Sequence, residues 1–282
     1  MSEPSLAATA CSESSLTAGE PLAGTAAVAT SWLLVEVRGA WGRDAVADSG
    51  LTGPVQSVLA GFPGKALLVR RPDRRGGVSL VHARAGEGGG TAVGLELGSL
   101  EELPAVTLEE GAPIAGPIFL VCAHGRRDPC CARLGGPFYE ALASELPPGR
   151  LWQSSHLGGH RFAPNVLVLP DGIQLGRIPV ERAREVVDLL TRGRIPLDLY
   201  RGRTIYAAPV QAAEILIRSA TGCDGVADLR LVSHVAGRVT FSTPAGELAT
   251  RVVERPGPVV PVSCGAEPEP TTTWVASLES AA

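Results

Sequence analysis

Lysine and asparagine are almost missing from this chain. Among its 282 residues the one lysine is Lys65 and the one asparagine is Asn165, and no Lys or Arg precedes Arg38. A GC-rich genome would produce the first scarcity, so the excess of arginine over lysine carries no functional weight. The late first basic residue leaves the N-terminus without the basic region of a secretory signal. No run reaches the ~18 apolar residues that a membrane helix needs. A net charge of −4 gives no general attraction to nucleic acid or to anionic lipid. What remains, 45% apolar and 19% charged, is the composition of a globular protein long enough for two modest domains. The expected compartment is the cytoplasm. There the six cysteines are reduced, metal-bound or redox-active rather than paired in structural disulfides.

Read in order, residues 1–30 are Ser-, Ala- and Gly-rich and read as a loose tail. Trp32–Val37 is the first clear strand, and Leu51–Leu59 a short helix. Lys65–Arg70 and Val78–Arg84 read as a β-pair across the turn at 72–77, and Ala92–Leu97 as a further strand. The stretch at 107–113 has linker composition. Pro117–Val121 is a continuous apolar strand ending at Cys122, followed by a helix over 131–145, a short strand at Leu151 and a loop. A hairpin over Pro170-Asp-Gly172 and an amphipathic helix at Val180–Leu190 complete the series. This β–α–β–β–β–α order over 116–193 matches a thioredoxin-like core. Beyond it, 204–220 reads as helix, strands at 227–234, 237–242 and 247–254 as a small β-unit, and the last 25 residues as irregular. The fold class is therefore α/β, with a thioredoxin-like core (111–200) between an α/β N-terminal region (1–110) and a small α+β C-terminal unit (201–282). No internal repeat is evident.

Three of the six cysteines and three of the five histidines fall within residues 116–160. They form Cys122-Ala-His124, Cys130-Cys131 and His156-Leu-Gly-Gly-His160. A single cysteine at a strand end is ordinarily buried core, but burial leaves the histidine pair unexplained. Two glycines between the histidines cost ~1 kcal/mol each in a helix, so the pair reads as a loop, and such a loop can wrap both imidazoles around one centre. A structural zinc site of two cysteines and two histidines is one reading, although the cysteines lack the short knuckle spacing. Thiol–disulfide chemistry ranks lower, because C-x-x-C is absent and vicinal Cys130-Cys131 would form a strained bridge. For a hydrolase, no motif places a carboxylate pair or a nucleophile with its base.

Cys122-x8-Cys131 followed by His156-x-Gly-Gly-His160 resembles the sucrase/ferredoxin-like family of thioredoxin-like ferredoxins. Gly19-Glu-Pro-Leu-Ala-Gly-Thr25, Trp41-Gly-Arg-Asp44, Arg127-Asp128, His160-Arg-Phe-Ala-Pro-Asn165, and Pro170-Asp-Gly172 ahead of Gly176-Arg177 carry the resemblance further. It implies a [2Fe–2S] cluster held by Cys122, Cys131, His156 and His160. It takes Cys131 in preference to Cys130, leaves His124 as a spare candidate, and gives the sugar-cleaving half of the family's name no support. His124 otherwise reads as solvent-facing or as a neighbour of the ligands. Arg126, Arg127 and Arg161 are candidates to offset the charge of the reduced cluster.

With neutral imidazoles, the oxidised cluster and its two thiolates sum to zero charge, where four thiolates would leave it dianionic. The potential should therefore lie nearer the roughly −150 to +300 mV of Rieske centres than the about −400 mV of plant-type ferredoxins. Imidazole N–H groups should also make that potential fall with rising pH. The resulting expectation is an electron carrier or redox sensor rather than an enzyme, with redox partner proteins docking near 122–130 and 156–161 and no nucleic-acid or membrane partner. The alternative is a zinc-stabilised binding module on the same four residues.

Overall fold

The computed structural model describes residues 10–71 and 76–279. The strands are β1 (Ser31–Glu36), β2 (Lys65–Arg70), β3 (Val78–Arg84), β4 (Thr91–Leu97), β5 (Ala112–Pro113), β6 (Ile118–Cys122), β7 (Leu151–Ser154), β8 (Val166–Leu169), β9 (Ile173–Leu175), β10 (Tyr200–Arg203), β11 (Arg230–Val235), β12 (Arg238–Thr243), β13 (Gly246–Pro261) and β14 (Pro268–Leu278). The helices are α1 (Cys11–Thr17), α2 (Gly53–Gly61), α3 (Pro129–Ala143), α4 (Ala183–Thr191) and α5 (Ala208–Thr221). Among the described residues β1–β10 form one sheet in the order β10-β9-β8-β6-β7-β2-β1-β3-β4-β5, and β11–β14 form a separate four-stranded meander.

The large sheet repeats one topology twice. In the first half, β1 and β2 are parallel across α2, β3 pairs antiparallel with the free side of β1, and β4 and β5 continue outward. In the second, β6 and β7 are parallel across α3, β8 pairs antiparallel with β6, and β9 and β10 continue outward. The halves join edge to edge where β2 meets β7 antiparallel, Val69 opposite Ser154. The second half is the thioredoxin-like order expected from the sequence.

The apolar run of β6 is continuous because both of its faces are covered. Phe119 and Val121 pack with Phe138 and Leu142 of α3 and Val186 and Leu190 of α4. Leu120 and Cys122 join the opposite cluster with Trp32, Leu34, Trp152 and Leu157. In α5, Val210, Ala213 and Ile217 pack on Val239, Phe241 and Val252 of the meander.

Five expectations are corrected. β2 and β3 are not a hairpin; both flank β1, which sits between them, and most of the turn assigned to 72–77 lies outside the described residues. Residues 11–17 form α1 rather than a loose tail, with Cys11 and Ser15 buried. The linker-like stretch adds β5 to the edge of β4. β10 precedes α5, which starts at Ala208, after Pro-free Tyr200–Arg203 has paired with β9. The final residues carry β14, paired along β13 with a register shift between Pro256 and Val259. Its prolines are tolerated because it is an edge strand.

Candidate metal centre

Asp128 and Pro129 fix where α3 begins. The Asp128 carboxylate accepts the Cys130 N–H at 2.9 Å as N-cap, and Pro129 occupies the first turn, where its missing N–H costs nothing. Gly135 lets the helix rest on β6, since a Cβ there would lie 2.0 Å from the Cys122 carbonyl oxygen. This start and this close approach bring Cys131 to Cys122. Both are buried. His156 Nδ1 stands 4.0 Å from the Cys122 sulfur and 3.9 Å from that of Cys131, and the three donor atoms lie within 4.8 Å of one another. A hydrogen bond from Cys131 holds the Cys122 thiol well below its ordinary range against the effect of burial, with help from His156 and the Leu157 N–H. The same hydrogen bond, together with burial, pushes Cys131 up. Of the two thiols, Cys122 is thus the one that gives up its proton more readily.

The histidine loop is gripped carbonyl by carbonyl. Gln174 Nε2 donates to Leu157 O at 3.1 Å, Arg201 Nη1 to Gly158 O at 3.1 Å, and Asn165 Nδ2 to Gly159 O at 2.8 Å. With its carbonyls turned to these side chains, the loop is free to aim an amide, that of Leu157, at the Cys122 sulfur. Gly158 and Gly159 have φ of +91° and +70°, and a Cβ on Gly159 would meet Arg201 Nη2 at 2.5 Å. Both glycines are therefore required by backbone, and Gly159 by space as well.

The His156 and His160 ring centroids are 5.0 Å apart. His160 Nε2 stands 3.7 Å from Asp128 Oδ2, while its Nδ1 is buried and without a hydrogen-bond partner among the described residues. Burial keeps this imidazole toward its neutral form, with Asp128 opposing. The two thiols and His156 form one donor group, and His160 adjoins it through the His156 ring with an unsatisfied buried nitrogen; such a set fits a soft or borderline metal.

Cys130 turns away from Cys122 and faces Cys11, Ser12 and Cys264 instead. His124 is buried, contrary to a solvent-facing role. Its Nε2 lies 2.7 Å from the Gly42 carbonyl and its ring meets Trp41 edge-on. Arg126 and Arg127 are exposed, and Arg161 is committed to Glu20 at 2.8 Å. The buried cation that grips the histidine loop is Arg201, which the sequence did not single out. It also donates to Asn165 Oδ1 at 2.7 Å, to Thr25 Oγ1 at 3.0 Å and to the Thr25 carbonyl. Burial pulls its guanidinium down to about 9, while the Cys122 charge pulls it back up. His156 is half-buried and lines a cleft of about 290 Å³ with Arg43, Asp44, His124, Arg127 and Ser155.

A thioredoxin-like half-sheet with thiols at a strand end and a helix start, and imidazoles on the facing loop, defines a candidate Cys/His metal-centre protein. The chain belongs to the sucrase/ferredoxin-like family, whose model matches residues 22–202. It is similar to altered inheritance of mitochondria protein 32 of Clavispora lusitaniae, 32% identical over 35% of this chain and 39% of that one. The Meyerozyma guilliermondii protein of the same name is 32% identical over 33% and 36%. The matched stretch thus spans well under half of these relatives. A thioredoxin-like [2Fe–2S] ferredoxin from Aquifex aeolicus aligns over 31% of this chain and 91% of its own, at 20% identity and a TM-score of 0.27. Among the described residues no helix is long and apolar enough to cross a membrane.

Proposed function

We propose that the chain holds a [2Fe–2S] cluster through Cys122, Cys131, His156 and His160 and acts as a one-electron carrier or redox sensor. The observation that carries this reading is the convergence of a buried thiol pair and His156 Nδ1 within 4.8 Å of one another, with the His160 ring 5.0 Å from that of His156 and its Nδ1 buried and unpartnered among the described residues. The bound group would supply reversible one-electron chemistry. The chain's own residues do the rest. Cys122 and Cys131 supply thiolate, and the neutral histidines add no charge. Arg201, buried among neutral acceptors, offsets negative charge at the centre. Gln174, Asn165 and Arg201 hold the loop rigid, which keeps its amides aimed inward. Redox partner proteins would dock over the cleft that exposes the edge of His156. Six unpaired cysteines suit a reducing compartment such as the cytoplasm.

A second reading is a zinc-stabilised binding module, favoured by one fact: three donors within 4.8 Å of one another also suit a single ion. One spectrum separates the two. Anaerobically purified chain should be brown, contain iron and acid-labile sulfide, and bleach with dithionite. A chain that stays colourless after reconstitution with iron and sulfide overturns the redox reading.

A further inference from the structure

Cys130 belongs to a second donor cluster. Its sulfur lies 3.3 Å from that of Cys264 and 3.6 Å from that of Cys11, and the Cys11 and Cys264 sulfurs are 3.6 Å apart. Asp128 closes the group, with its carboxylate oxygens 3.8 and 3.9 Å from the Cys11 sulfur. All four donor atoms lie within 4.8 Å of one another. We propose that Cys11, Cys130, Cys264 and Asp128 form a structural site for a single zinc ion, separate from the Cys122/His156 centre.

The sulfur triangle decides the class of ligand. Zinc–thiolate bonds of about 2.3 Å place the corners of a tetrahedron about 3.8 Å apart, so the three sulfurs need to open by only a few tenths of an ångström. Thiolates held on two different irons would stand farther apart than this, so a cluster does not fit. A disulfide would use two of the sulfurs and leave the third beside a buried carboxylate. The carboxylate is pre-oriented as the fourth corner. Oδ1 accepts the Cys130 N–H at 2.9 Å, and Oδ2 accepts the Cys264 N–H at 2.8 Å and the Ser263 hydroxyl at 3.1 Å. That leaves Oδ1 a free lone pair. Ser12 Oγ stands 3.2 Å from the Cys130 sulfur, a hydroxyl placed to donate to a thiolate. Cys11, Cys130 and Asp128 are at most 1% exposed. The one ion-pair contact of Asp128 among the described residues is His160, a cation only when protonated. Buried carboxylates and thiols gathered without a fixed cation are what a metal resolves.

The ligands also say what the ion would do. Cys11 opens α1, Cys264 lies between β13 and β14, and Cys130 is on the first turn of α3, one residue from Cys131. One ion would clasp both ends of the chain onto the helix that carries a ligand of the other centre. Its free energy of binding would then be folding free energy.

The test is metal analysis of the anaerobically purified full chain beside Cys11→Ser and Cys264→Ser variants. The expected result is one equivalent of zinc in the parent that falls below about a tenth in either variant, with iron content and visible absorption retained. If the redox reading fails and the Cys122 site holds zinc instead, the parent should carry two equivalents and each variant one, so the two failures are distinguishable. Should the variants not fold, the parent alone decides. A strong chelator should release zinc and expose Cys11, Cys130 and Cys264 together to alkylation. Zinc retained in full by both folded variants overturns the proposal. So does a zinc-free parent whose mass shows a disulfide among the three cysteines, or one in which they alkylate freely after zinc supplementation.

Discussion

The two halves of the large sheet have the same strand order, and they use the same corner differently. Glu36, Val69, Ser154 and Cys122 lie in one row across β1, β2, β7 and β6, so Glu36 occupies in the first half the place of Cys122 in the second. Both are buried. Glu36 accepts the Ser79 N–H at 3.2 Å and pairs with Arg38 at 3.3 Å and Arg71 at 3.5 Å. It ties strand ends together. Cys122 faces a helix whose first turn brings a second thiol and a loop that brings imidazoles. The topology supplies the corner, and the residues placed there decide whether it is a brace or a candidate metal centre.

The largest expected effect breaks this symmetry from both sides. Cys122→Ala should abolish iron binding and visible absorption altogether. Glu36→Gln should leave both unchanged while lowering stability by about 1–3 kcal/mol, because neighbouring donors lose a charged acceptor. Metal analysis and urea unfolding of the two variants read this directly. Loss of iron from folded Glu36→Gln would mean that the halves are not independent in function. Next comes Arg201→Leu. It strips donors from Gly158 O, Asn165 Oδ1 and Thr25 and should cost about 3 kcal/mol in urea unfolding, with iron retention falling in parallel. Arg201→Lys keeps the charge but not the planar fork and should fall between.

What could be read from the sequence follows the locality of the interactions. Cys122, Cys131 and His156 sit close along the chain on a β–α–β unit with regular apolar spacing, so the half-sheet and the grouping of these three donors are legible locally, while His160 stands outside that group beside Asp128. The first half was misread at β2 and β3 because two strands flanking a short gap look like a hairpin. Nothing local reports that β1 has come between them. Asp128, Thr25 and Asn165 stood inside motifs that resemble the family, but their roles were not deducible from spacing. Each role depends on a partner far along the chain: Arg201 for Thr25 and Asn165, and the Cys264 N–H for Asp128. Asp-Pro before Cys130 was the available signal for a capped helix start. Cys11, Cys130 and Cys264 were opaque for the same reason in stronger form, since their contacts span most of the chain.

A smaller effect tests why the loop needs its second glycine. Gly159→Ala should cost about 1–2 kcal/mol, combining a strained positive φ with the clash against Arg201. Thermal unfolding should show the loss, and iron should leave the folded variant faster under chelation. An unchanged protein would mean that the Arg201 contact is looser than its geometry.

The smallest effect bears on the imidazoles, which have no counterpart beside Glu36. A ring N–H on a ligand holds its proton more tightly once the centre has gained an electron, because the added negative charge favours the protonated form. Its dissociation constant therefore differs between the two redox states, with the higher pKa in the reduced one. Between those two values electron uptake takes up a proton. The potential should then fall with rising pH, by at most about 59 mV per unit for one proton per electron. His156 opens to the cleft and His160 faces Asp128, so the two rings should contribute unequally. His156→Cys should keep a centre, lower its potential and remove its share of the slope. Potentiometric titration from about pH 6 to about pH 9 measures this slope. A flat line there would place both imidazoles outside the redox centre and leave Cys122 and Cys131 to find other partners.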